Sequence, residues 1–443
     1  MRVLPALLPL ALGCAAAWHD DFDRLRVELD SIRALHDSAA SSAPGADLAG
    51  DVDLETLVRE ARRRNPELRE SAARSRAALE EVRREGALDD PRLRLQTEGP
   101  SLHQPAAFDR AGQNMIMLGQ AIPFPGNLSL RSEAALREAE RMNQMRLERE
   151  REVVARVKRA YFEYYALARE LDIHREHVAI LEDFEKASEI RFRTGAAPQQ
   201  DVLRPQVEQV RLHADVFMIE QRLASARAAI NVLVDRAPES PLGPPREPAP
   251  PADPADLGEL MALALSSRPE LRAAEFRVRA AQASLALAER EAALPDFDVE
   301  AGYMHMTEMR DGWAGMLGIN LPWLTGKKAA EARRAGHALR ADEAALEATR
   351  SRVRFEVRDA WLRVEAARKT LALYAGELVP KSAQTVEVSR AGYEKDKASF
   401  LDLLDSERSL RDVKLERHRA LAAFGSALAD LERAVGADPG RKP

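Results

Sequence analysis

The sequence predicts a mostly α, α+β fold in which one unit of helix, two strands and two long helices occurs twice. Its four strands close only as part of a trimeric, 12-stranded transmembrane β-barrel. Three observations predict this. Asn65-Pro66-Glu67-Leu68 returns as Arg268-Pro269-Glu270-Leu271, Ile122-Pro123 as Leu321-Pro322, Gly126 as Gly326 and Tyr161 as Trp361, each displaced by about 200 residues. Only 5% of the 443 residues are aromatic while 31% are charged, the profile of long exposed helices. Each copy carries two short runs of alternating polar and apolar residues.

Residues 1–17 read as an export signal: Arg2, an apolar run from Val3 to Leu12, then Gly13-Cys14-Ala15-Ala16-Ala17. Cleavage after Ala17 and cleavage before Cys14, which would leave its thiol to carry lipid, both fit. Cys14 is the single cysteine, so no disulfide is expected. Residues 18–51 read as a short helix and a Ser/Ala/Gly-rich tether.

The first repeat covers residues 52–236. Its opening helix, 54–85, should break at Pro66, because the residue before a proline is pushed out of helical geometry. Strands are expected at about 92–99 and 113–122, and long helices at about 127–193 and 200–235. Val153, Val157, Ala160, Tyr164, Leu167, Leu171, His174, Val178 and Leu181 step by four and three along the first of these helices, the seam of a coiled coil.

A linker, residues 237–256, holds eight prolines between Pro238 and Pro254, which extended chain tolerates and a packed helix does not. The second repeat, 257–436, has strands at about 297–305 and 313–321 and helices at about 326–392 and 399–434. Val353, Val357, Ala360, Val364, Ala367, Leu371, Tyr374 and Leu378 repeat the seam. Residues 437–443 form a patternless tail.

Four strands with one apolar face cannot stand alone in water, and in lipid every backbone edge must be closed, which takes about eight strands or more. Three chains supplying four strands each satisfy this. The apolar side chains then face lipid, and Arg92, Arg94, Gln96, Asp298 and Glu300 face a wet lumen.

The helices reverse at Arg193-Thr194-Gly195 before Pro198, and at Lys395-Asp396 before Ser399. Asp201 and Asp402 follow, each near the positive end of a returning helix, where a carboxylate serves first as a cap. Other chemistry is sparse. A net charge of -6 offers no basic excess for nucleic acid. No phosphate loop, metalloprotease spacing or nucleophile motif suggests an enzyme, and no cofactor is expected. His174 falls on the seam and reads as packed. Met304, His305 and Met306, with Met115 and Met117, are soft-ion ligand types and weak metal candidates, although methionine also fills apolar gaps. Tyr161, Tyr164, Tyr165, Tyr303, Trp313 and Trp361 read as core or membrane-interface residues.

The duplicated unit, the two Pro-Glu-Leu openings, Gln120-Ala-Ile-Pro-Phe-Pro-Gly126 and the turn from Gly195 to Leu203 resemble the TolC-type outer-membrane efflux factors. The likeness runs from about Leu54 to Gly436. It implies a homotrimer in outer-membrane lipid whose barrel continues into a 12-helix periplasmic α-barrel. It also implies a duct that docks on a periplasmic adaptor (membrane fusion protein) and an inner-membrane pump of the RND type. On this sequence it places Gly195, Asp201, Asp396, Asp402 and Asp405 at the periplasmic tip and gate. Asp396 stands where the family usually has glycine, and Arg204 adds positive charge beside Asp201. Pro123-Phe124-Pro125-Gly126 looks like the heavy-metal branch, which makes heavy-metal cations the expected cargo. A periplasmic coiled-coil adaptor or spacer without a pore is the competing reading.

Overall fold

The structure, a computed structural model, describes residues 16–41, 48–98, 113–195, 197–249, 255–306, 310–395 and 397–437. Cys14, Asp396 and the tail beyond Ala437 lie outside these. The order is α1 (Ala16–Ser41), α2 (Leu54–Arg64), α3 (Pro66–Gly86), β1 (Arg92–Glu98), β2 (Gln113–Ile122), α4 (Asn127–Arg193) and α5 (Gln199–Leu233). It continues with α6 (Leu257–Ser267), α7 (Pro269–Ala293), β3 (Phe297–Met306), β4 (Gly312–Ile319), α8 (Lys327–Leu373), a π-turn (Tyr374–Leu378), α9 (Val379–Glu394) and α10 (Phe400–Val435). No described helix is long and apolar enough to cross a membrane.

The chain forms two compact units. Unit one takes the described parts of Met1–Ile32, Ala72–Met145 and Glu270–Thr349. Its apolar core joins Phe22, Leu25 and Leu29 of α1 to Leu79 and Val82 of α3 and Leu136 and Ala139 of α4. Its four strands make one antiparallel sheet in chain order. β2 pairs with β3 although the whole of α4 to α7 separates them in sequence. β1 and β4 are the two edges.

Unit two takes the described parts of Arg33–Ser71, Arg146–Pro269 and Arg350–Pro443. Its largest core packs α2 (Leu57, Ala61) against the α4 seam (Val153, Val157, Tyr161, Tyr164, Leu167, Leu171) and α5 (Ile219, Leu223, Ile230). A parallel core repeats this with Leu260 and Ala264 of α6, Val353, Val357, Ala360 and Val364 of α8, and Phe424, Leu431 and Val435 of α10. The break before Pro66 is built by Asn65. Its Nδ2 donates to Leu233 O at 2.9 Å, and its Oδ1 accepts from Glu67 N at 2.9 Å, capping α3. Each long hairpin ends on a residue in left-handed geometry, Asp235 at φ 57° and Gly436 at φ 77°.

The proline-rich linker is strapped onto α4. The Tyr161 hydroxyl donates to Arg246 O at 2.5 Å and the Tyr164 hydroxyl to Gly243 O at 2.8 Å. Burial pushes the Tyr161 hydroxyl up to about 12, so it stays a donor at physiological pH. Gly243 lets the strap lie this close: a Cβ there would sit 2.0 Å from Gly50 O.

The second seam corrects the sequence reading. Val353, Val357, Ala360 and Val364 are buried, but Leu378 is 39% exposed and Val386 is the next buried seam residue. Pro380 has no N–H to donate to Gly376 O. The preceding turn widens instead, Val379 N–H reaching back to Tyr374 O, and the helix re-enters α geometry out of phase with the heptad. α4 has no such interruption.

Candidate functional site

Strand register sorts the sheet into two chemically different faces. One face carries Leu93, Leu95, Ile116, Leu118, Ile122, Val299, Leu317 and Ile319, all exposed at 39–66%. Tyr303 and Trp313 are register partners on it, 50% and 83% exposed. An aliphatic face with an aromatic pair is what hydrocarbon and its boundary accept. On the other face lie Arg92, Arg94, Gln96, Asp298 and Glu300, the residues expected to face a lumen. Arg94 donates to Glu300 across β2 at 3.0 Å, and the intervening Gly119 leaves room, since a Cβ there would meet Glu300 at 2.9 Å.

Met304 and Met306 lie on this polar face, with Met304 opposite Met115. His305 lies on the aliphatic face and its Nδ1 is bound to Asp311 at 2.7 Å. The three adjacent candidates therefore do not converge. Among the described residues no group of three or more His, Cys, Asp or Glu side chains could hold a metal ion.

The turns that join the long helices both belong to unit two. Gly195, at φ 77°, ends α4, and Asp201 sits in the first turn of α5. α10 opens with a capping box: Ser399 Oγ accepts from Asp402 N at 3.1 Å while Asp402 Oδ2 accepts from Ser399 N at 3.0 Å. Bonds from the Ser399 side chain and backbone hold the Asp402 carboxyl below its ordinary value. Asp402 is thus engaged as a cap, and Asp405 pairs with Arg408 at 3.3 Å. Phe400 locks the two hairpins together, edge-on to Phe184 at 5.9 Å and tilted on Tyr393 at 5.8 Å.

Sequence reasoning missed the cluster above these turns. Glu208 of α5, 7% exposed, accepts from Arg408 at 2.8 Å and Arg411 at 3.3 Å, both on α10. Burial pushes its carboxyl up, but the two guanidinium groups outweigh this and hold it below the ordinary range. His177 of α4, 3% exposed, faces the same Arg411. Glu208 and Arg408 lie 200 residues apart, and no local pattern in either helix announces the pair.

A family model described as outer membrane efflux protein matches residues 57–234 and again 260–437, once over each repeat. The chain belongs to the outer membrane efflux protein family. Solved structures show the same fold. CusC superposes with a TM-score of 0.75 at 19% identity, covering 90% of this efflux protein and 96% of CusC. VceC from Vibrio cholerae gives 0.72 at 19%, covering 87% and 96%. The MtrE outer membrane channel of Neisseria gonorrhoeae, in its open state, gives 0.71 at 20%, covering 89% and 94%. Comparison with curated protein sequences returns no match.

Proposed function

We propose that three copies of this efflux protein form a passive exit duct through the outer membrane. The sheet carries this reading. Its leucines, isoleucines and valines all point one way and its Asp, Glu and Arg residues the other, and both edge strands, β1 and β4, lack a partner within the described chain. An unpaired edge cannot stay in hydrocarbon, and β4 of one copy against β1 of the next removes every edge at twelve strands. β2 and β3, at 10 residues each, have the length of a spanning strand, about 9–11 residues. Arg92, Arg94, Gln96, Asp298 and Glu300 then line the lumen.

The turns at Gly195, Asp201, Asp396, Asp402 and Asp405 form the periplasmic tip in this proposal, docking on an adaptor and an inner-membrane pump of the RND type. Asp201, Asp402 and Asp405 are the proposed acidic residues of the gate, Asp402 also capping α10 and Asp405 also pairing with Arg408. Heavy-metal cations are the proposed cargo, a reading supported by the methionines on the polar face. Lipidation at Cys14 stays a proposal of the sequence alone.

The test is the native mass of the protein extracted from the outer-membrane fraction with Met1–Cys14 replaced by an unlipidated signal. A trimer that needs detergent is expected. A water-soluble monomer or dimer would overturn the duct and favour the periplasmic spacer.

A further inference from the structure

The sheet distributes its methionines unlike its other apolar residues. Met115, Met117, Met304, Met306 and Met316 account for five of the 11 methionines in the chain, and register puts all five on the face with Arg94 and Glu300. That face has no leucine, isoleucine, valine or phenylalanine; the opposite face has these and no methionine. A methionine placed for its hydrophobicity alone would partition with the aliphatics toward lipid. These lie with the charges, so hydrophobicity alone does not account for their placement and either the sulfur or flexible filling must.

Geometry favours the sulfur. Met115 and Met304 are direct cross-strand partners, which sets their Cβ atoms about 5 Å apart. Met117 and Met306 each lie two residues along the same face of their strands, extending the pair to four thioethers in a diagonal row. Met117 is 5% exposed beneath this face. The Met304 sulfur accepts from Gln113 Nε2 at 2.6 Å, a contact that places it among the polar side chains of this face and that a bound cation would have to displace. Glu98, Asp298 and Glu300 share the face with Arg92 and Arg94, a small acidic excess that attracts any cation without choosing among them. Selection among cations must then come from ligand softness, which thioethers supply for monovalent d¹⁰ ions and deny to Zn(II) or Mg(II).

We propose that Met115, Met117, Met304 and Met306 form a thioether ladder that binds soft monovalent cations, Cu(I) or Ag(I), through sulfur alone. Its position along an exit path rests on the duct reading above; the binding itself does not.

The test uses full-length, detergent-solubilised protein carrying Cys14→Ser, so that the one thiol does not compete. Ag(I) is titrated calorimetrically in chloride-free buffer and its first coordination shell is read by X-ray absorption. Saturable binding with a sulfur-only shell is expected. Met115→Leu with Met304→Leu, which keeps side-chain volume, should weaken it at least about tenfold. Met218→Leu, on α5, should leave it unchanged, and Zn(II) should not compete. An oxygen or nitrogen shell, or equal affinity in the protein with all four ladder positions changed to leucine, would overturn the ladder. A detergent-dependent trimer that binds no silver sinks the ladder and spares the duct. A monomer that binds silver through sulfur does the reverse.

Discussion

His177 lies at a junction of α4, α5 and α10, and its Nε2 has no hydrogen-bond partner among the described residues. Burial first, then the charge of Arg411, push its pKa from 6.5 down to about 4, only partly opposed by Glu208. The sign follows from proton counting. Between about pH 6.5 and 4 the unfolded chain binds a proton that the folded chain refuses, so stability rises with pH in that window. The contribution is full above about 6.5 and declines toward 4, by on the order of 3 kcal/mol at the ceiling. Glu208, held below its ordinary value, adds stability above that value that is lost at lower pH, as its carboxylate protonates. His177→Gln should therefore flatten the fall of the thermal midpoint between about pH 7 and 4.5 while leaving the steeper acid limb. Parallel curves for the two proteins would assign the fall to another group.

Among elements, the two copies of the long hairpin differ where Pro380 interrupts the second. α4 runs unbroken from Asn127 to Arg193, whereas α8 passes through the π-turn Tyr374–Leu378 before α9 begins. A proline inside a helix costs about 3 kcal/mol, of which the widened turn recovers a part. Pro380→Ala restores the missing donor for Gly376 O. The expected outcome is a higher thermal midpoint, worth about 1–3 kcal/mol, with Leu378 returning to the buried seam and Val386 leaving it. Hydrogen exchange over residues 374–386 reads the second effect. An unchanged midpoint and exchange pattern would mean that packing against α10, and not the proline, sets the turn.

For the whole molecule, α5 presents two apolar faces. Leu212, Ile219, Leu223 and Ile230 are buried within the chain, while Leu203, Val207, Val210 and Phe217 recur at coiled-coil spacing and are 48–70% exposed. A helix apolar on two sides needs a second covering surface. In the proposed trimer that surface is a neighbouring copy. Val210→Lys with Phe217→Lys removes about 1.5–3 kcal/mol of burial at each position in each copy. The double variant should keep its helical circular dichroism yet lose the trimer mass. Retention of the trimer would place the second face against some other partner.

The sequence alone determined the repeat, the element types and the two faces of the sheet, because each is a short-range property. Alternation with period two assigns Leu93 and Arg94 to opposite faces whatever the strand pairs with, and the residue before Pro66 is pushed out of helical geometry by the proline ring itself. The α4 seam was legible for the same reason. What local pattern could not supply was pairing over distance. Register brought Met115 opposite Met304, 189 residues away, and turned His305 from that pair. Packing joined Glu208 to Arg408 and left His177 Nε2 without a hydrogen-bond partner among the described residues. The shift of the second seam had a visible cause in Pro380, but its size depended on how many backbone bonds the turn gave up. Only the folded backbone fixes that number. Side-chain preference sets which way a residue points, and tertiary structure decides what it meets.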